Sequence, residues 1–67
     1  MDVRKRLAAK MKSMRADRRW SQEELADQSG VHRTYISGVE RCVRNPTITN
    51  VAKIAAALGC SIGELVD

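Results

Sequence analysis

Long apolar runs are missing from this sequence: the longest extends only from Ile54 to Leu58, and the chain opens on charged residues. Neither a signal peptide nor a membrane span fits that pattern, so a cytoplasmic protein is expected. Cysteine is scarce as well. Cys42 and Cys60 do not stand in C-x-x-C spacing and have only His32 to serve as a third ligand, which supports neither a metal site nor a disulfide framework. Two reduced thiols are the default in that compartment. Phe is absent, and Trp20 and Tyr35 are the only aromatic residues. Strand-like alternation, internal repeats and low-complexity segments are lacking too. A single histidine among scattered carboxylates offers no nucleophile and base arrangement, and no cofactor is implied.

What is present is 67 residues, 43% hydrophobic and 30% charged, read as one small domain over residues 1–67. A chain of this length buries only roughly 60% of its unfolded surface, too little for a deep substrate pocket with supporting residues behind it. An enzyme is therefore not expected. The composition suits a compact helical domain rather than disorder. The net charge of +4 is unevenly placed. Arg4, Lys5, Arg6, Lys10, Lys12, Arg15, Arg18 and Arg19 face only Asp2 and Asp17 within the first twenty residues, while the rest of the chain is net acidic. Such a block meets phosphate or anionic lipid, or is simply a solvated helix face. A membrane-surface role fails because the same helix needs its apolar stripe for the core.

The punctuation of the sequence predicts an all-α fold of five short helices. Val3, Leu7, Met11 and Met14 place one apolar stripe on a first helix ending near Arg18. Ser21 and Glu24 have capping-box spacing at the start of a second, Gln22 to Ser29, with Trp20 placed to staple onto Leu25. Gly30 stops it and allows a sharp reversal into a third helix over about His32 to Arg41, with Ile36 and Val39 inward alongside Val31. Asn45-Pro46-Thr47 breaks the chain and Thr47 caps a fourth helix with the stripe Ile48, Val51, Ile54, Ala55 and Leu58. Gly59 closes that helix. Ser61 and Glu64 repeat the capping-box spacing for a last turn carrying Ile62, Leu65 and Val66.

Two short helices joined by a tight glycine turn match a helix-turn-helix. Ala26 falls where the helices cross, Gly30 makes the turn, and Val31, Ile36 and Val39 fasten the second helix to the core. His32, Arg33, Thr34, Ser37, Gly38 and Arg41 remain outward, a polar face with no carboxylate, while Glu40 falls toward the first helix. The major groove of DNA admits an α-helix, and its base edges offer acceptors and donors that Arg, Thr and Ser can meet.

Ser21-Gln22-Glu23-Glu24-Leu25-Ala26, Gly30-Val31, Ile36-Ser37, Val39-Glu40-Arg41 and Ile54-Ala55-Ala56-Ala57-Leu58-Gly59 resemble the lambda-repressor and Cro-like DNA-binding domains. The resemblance covers nearly the whole chain. Arg33 to Arg41, followed by Arg44-Asn45, is most similar to the controller proteins of restriction-modification systems, which are small dimeric transcriptional regulators. The resemblance implies base contacts by Arg33 and Thr34, and an arginine guanidinium can bond guanine O6 and N7 together. The alternative for Arg33 is a phosphate contact. Ser37 and Thr34 touch either bases or backbone, and Tyr35 either lies along the sugar-phosphate edge or packs as core. Gln22, at the start of the second helix, is placed on a phosphate by the resemblance, with a plain surface glutamine as the alternative. Arg41, Arg44 and Asn45 are further backbone-contact candidates, although the last two also suit simple turn chemistry. Arg15 and Glu40 look like the arginine and glutamate that tie the first helix to the third in phage repressors.

Two positions depart from the family. Cys42 stands where glycine usually follows Glu-Arg, and His32 stands where Ser, Thr, Asp or Asn usually caps the recognition helix. His32 is then a poor cap, a phosphate ligand or a base contact. Cys60 reads as a small buried hydrophobe, and Cys42, near Arg41 and Arg44, as the more reactive thiol. Because one recognition helix covers few base pairs, a homodimer on two half-sites is expected, with Leu58, Ile62, Leu65 and Val66 as interface candidates or, alternatively, as core. The expected partner is double-stranded DNA, with no membrane and no small-molecule effector. The rival reading is an interaction module such as an antitoxin that autoregulates through its helix-turn-helix.

Overall fold

A computed structural model describes residues 2–67. Five helices follow one another, α1 (Val3–Asp17), α2 (Gln22–Ser29), α3 (Arg33–Glu40), α4 (Ile48–Leu58) and α5 (Ile62–Val66), with no strand among the described residues. Each starts on a capping side chain: Asp2, Ser21, His32, Thr47 and Ser61 all accept a backbone N–H from the first turn. The box is complete only at α5, where Ser61 and Glu64 bond reciprocally. At α2 only half of it forms. Ser21 Oγ accepts from the Glu24 N–H at 3.0 Å, but the Glu24 carboxylate instead accepts from Gln28 Nε2 at 3.0 Å, one turn along.

The core contains Leu7, Met11, Leu25, Val31, Ile36, Val39, Val51, Ile54, Ala55, Leu58 and Leu65, all buried, with Met14, Trp20, Tyr35, Cys60, Ile62 and Val66 packed half-buried around it. α1 packs on α3 and α5, α2 on α3 and α4, and α4 on α5. Two members of the expected stripes lie outside this core. Val3 is 56% and Ile48 69% exposed, because each is the first residue of its helix and overhangs the end of the core. Ala8 is buried in their place on α1.

Leu58 and Leu65 are fully buried within the chain, so neither offers surface to a second copy, and their expected place in an interface is corrected to the core. Ile62 and Val66 remain half-buried at its edge. No helix among the described residues is long and apolar enough to cross a membrane.

Candidate nucleic-acid interface

The α2–α3 reversal rests on Gly30, whose φ of 75° is left-handed and whose N–H returns to Ala26 O. Ser29 Oγ then accepts from the Val31 N–H at 3.2 Å, and Val31 packs into the core, which fixes the angle at which α3 leaves the turn. α3 is shorter by one residue at each end than its sequence suggests. His32 is its N-cap, with Nδ1 accepting the Thr34 N–H at 3.1 Å. An accepting Nδ1 leaves Nε2 to carry the proton of the neutral ring, so the imidazole is a cap with an outward donor.

The outward face of α3 holds Arg33 and Thr34, both exposed, and the half-buried Ser37. Arg33 makes no side-chain hydrogen bond or ion pair among the described residues, leaving its guanidinium fork uncommitted. Between Val31 and Asn45 the only carboxylate is Glu40, at the inner end of α3. Its side chain is 1% exposed and takes a two-pronged bond from Arg15, Nε to Oε2 and Nη2 to Oε1, each 2.9 Å. Hydrogen bonding to Glu40 raises the Arg15 pKa further above its ordinary value. The one acid of α3 is therefore neutralised and out of reach, while the exposed Glu23 and Asp27 of α2 line a groove with His32 and Arg33.

Gly38 was expected outward, but it is buried. Arg44 covers it: a Cβ on Gly38 would stand 3.2 Å from Arg44 Cβ. The Arg44 guanidinium carbon lies 5.3 Å from the centre of the Tyr35 ring, a cation–π contact. Tyr35 itself reaches across to α4, its hydroxyl oxygen accepting the Thr47 N–H at 2.8 Å. Burial pushes its phenol pKa up, but hydrogen bonds with Asn50 and Thr47 and the charge of Arg44 together hold it below the usual value. Its first role is thus to join α3 to the start of α4.

The other backbone-contact candidates also have partners. Gln22 Nε2 donates to Glu40 Oε1 at 3.1 Å, Arg41 Nε bonds back to Ser37 O at 3.4 Å, and Asn45 Oδ1 accepts from Arg4 Nη1 at 3.2 Å. The last contact brings in a residue that sequence reasoning missed. Arg4, also paired to Asp2 at 3.1 Å, ties the start of α1 to the loop after α3, and a contact spanning 41 positions leaves no local pattern to read. Arg18 was missed likewise. It donates to Leu58 O at the end of α4 and lies over the Trp20 ring. Cys60 is half-buried and burial pushes its thiol pKa up, as suits an unreactive core sulfur. Cys42 sits in the left-handed region at φ 60°, so the conformation usually given to glycine is kept by a residue with a side chain.

A capped reading helix, carboxylate-free on its outer side and bracketed by anchored polar groups, defines a helix-turn-helix protein. The Helix-turn-helix family model matches residues 11–65, and the chain belongs to that family. It is 48% identical over 65 residues to a hypothetical transcription factor of Neisseria meningitidis, covering 97% of this chain and 61% of that protein. The chain thus spans about three fifths of that relative's length. It is 44% identical over 66 residues to the control protein C.SmaI of Serratia marcescens, covering 98% and 79% respectively. Among solved structures, the restriction-modification controller protein C.AhdI from Aeromonas hydrophila superposes with a TM-score of 0.87 at 37% identity, over 92% of this chain and 94% of that one. SinR, the master regulator for biofilm formation, solved in complex with DNA, gives 0.85 at 34% identity over 91% and 98%.

Proposed function

We propose that this chain is a sequence-specific double-stranded DNA-binding transcriptional regulator of the controller type, acting as a dimer on a palindromic operator. The observation that carries this reading is the outward row of exposed Arg33 and Thr34 with half-buried Ser37, on a helix whose only carboxylate is buried and paired. In the major groove Arg33 reads a guanine edge through two parallel hydrogen bonds, and Thr34 and Ser37 contact neighbouring bases or backbone. His32 supplies its outward Nε2–H to a base or phosphate. Gln22, Tyr35, Arg41, Arg44 and Asn45 set the helix against the phosphate chain, which fixes register without carrying sequence information.

A helix of this length reads only a few base pairs, and a second copy supplies the other half-site about one DNA turn, roughly 34 Å, away. With Leu58 and Leu65 buried, the surface left for that copy is the exposed Ile48, Ala52 and Ala56 of α4 with the half-buried Ile62 and Val66 of α5. No effector is needed in this scheme; occupancy follows protein concentration. The likeness to C.SmaI and C.AhdI supports the controller role.

Selection from a pool of random duplex DNA tests the reading. Recovery of a two-fold symmetric site, bound by a species of twice the chain mass, is the expected result. Failure to enrich any duplex at low salt would overturn it in favour of a protein-interaction module.

A further inference from the structure

The buried pair does more than join α1 to α3. Glu40 Oε1 accepts from two donors, Arg15 Nη2 at 2.9 Å and Gln22 Nε2 at 3.1 Å, while Oε2 takes Arg15 Nε. Arg15 Nη1 meanwhile donates to Trp20 O at 2.8 Å, just ahead of the α2 cap. Through these contacts the last residue of α3 holds the first residue of α2. We propose that Glu40 is a positioning residue for the phosphate contact of Gln22, fixing that side-chain amide in advance at the start of α2.

The inference rests on the DNA-binding reading above. At the start of α2 the Glu24 N–H is taken by Ser21 Oγ and the Leu25 N–H by Ser21 O, which leaves the N–H groups of Gln22 and Glu23 facing outward. A carboxamide has two N–H bonds. With one of them on Glu40, the other remains for a phosphate, and the amide is fixed with its nitrogen rather than its oxygen on the carboxylate. A free glutamine side chain must be ordered when it binds, and one already fixed avoids that cost, which corresponds to roughly two- to tenfold in affinity. An ionised glutamate near a phosphate would ordinarily oppose binding. Arg15 cancels that charge, so Glu40 can orient Gln22 without repelling the DNA.

The test is a double-mutant cycle on the duplex recovered by selection, using Gln22→Ala, Glu40→Gln and the two combined. Gln22→Ala is expected to bind roughly two- to tenfold more weakly, Glu40→Gln to lose a similar factor, and the combination to bind no worse than Gln22→Ala alone. Methylphosphonate substitution, scanned along the duplex, should weaken the wild type at one phosphate in each half-site and have little effect there on either single variant. If Glu40→Gln loses the same factor with and without Gln22, Glu40 only holds the fold and the inference is overturned, while DNA binding stands. If the wild type recovers no duplex, the DNA reading falls and the inference with it. Should Glu40→Gln fail to fold, the wild type still decides the matter: one Nε2 proton of Gln22 should exchange more slowly than the Nδ2 protons of exposed Asn45, whose bond to Arg4 is through Oδ1. Equally fast exchange would overturn the positioning.

Discussion

Arg44 is packed so closely over Gly38 that a methyl group on the glycine would meet Arg44 Cβ at 3.2 Å. The neighbour at risk is Cβ, next to the backbone, so it cannot swing aside as the end of a long side chain would. The loop after α3 is also bonded to the same residue, Val43 N–H to Gly38 O at 3.0 Å. Glycine inside a helix ordinarily costs about 0.5–1 kcal/mol relative to alanine, and here close approach is what it supplies in return.

Gly38→Ala should therefore not stabilise the protein, despite the better helix former. Gly63→Ala in α5, where the nearest atom to a new Cβ is Ser61 Oγ at 3.8 Å, should raise stability by about 0.5–1 kcal/mol. Urea denaturation of the two variants side by side makes the comparison. Equal gains at both positions would show that the Arg44 packing imposes no constraint.

Removing one partner of the Arg15–Glu40 pair leaves the other largely buried and uncompensated. Glu40→Ala should cost about 3–5 kcal/mol, a drop of more than about 10 °C in Tm for a domain of this size. A thermal melt unchanged within a few degrees would show that the pair is not a structural tie.

Cys42 is the C-terminal residue of α3's closing turn, with φ 60° and its N–H on Val39 O at 3.0 Å. A side chain in the left-handed region is strained, and the hydrogen bond that Sγ makes among the described residues is a long one, to Arg4 O at 3.7 Å. Cys42→Gly should stabilise by up to about 1 kcal/mol, read from the urea midpoint. A loss on substitution would mean that the sulfur contact outweighs the backbone.

The helices were legible because their punctuation is local. Ser21, Thr47 and Ser61 sit on the caps, Gly30 and Gly59 take positive φ, and α2 and α4 run between the residues their signals mark. The composition of the reading face was legible for the same reason, since residues three or four apart in a helix share a side. Val3 and Ile48 show where periodicity fails: a stripe says which side faces in, not whether the core reaches that far. Gly38 under Arg44, Tyr35 on Thr47 and Arg4 on Asn45 were not legible, because each depends on the path of a loop that Pro46 interrupts without specifying. The same holds for Leu65. A five-residue helix has too few turns to show which of its apolar residues face the core.

Acid should loosen α5 before the α2–α3 core. The backbone bond from Ser61 N–H, with the Ser61 side chain and the charge of Lys10, holds the Glu64 carboxyl below its ordinary 4.5. A carboxyl depressed in the folded state contributes stability that is present above its unfolded value and is lost as pH falls through the folded one. Amide exchange in residues 62–66 should therefore accelerate, relative to the α2–α3 core, as pH is lowered below about 4, and Glu64→Gln should remove that difference. Uniform acceleration along the chain would assign acid sensitivity to the molecule as a whole.

Arg33 is the sharpest test of the reading face, because its guanidinium has no hydrogen-bond or ion-pair partner among the described residues to lose. Arg33→Ala should leave the melting temperature within a degree or two, as expected for an exposed residue with no special contact. On DNA it should lose about 1–3 kcal/mol of binding and relax the preference at one base pair in each half-site. A phosphate contact gives a different result: affinity falls uniformly across sequences and the salt dependence flattens by about one counterion per half-site. Binding to a panel of single-base variants at two salt concentrations separates the two, and an unchanged preference profile removes Arg33 from base reading.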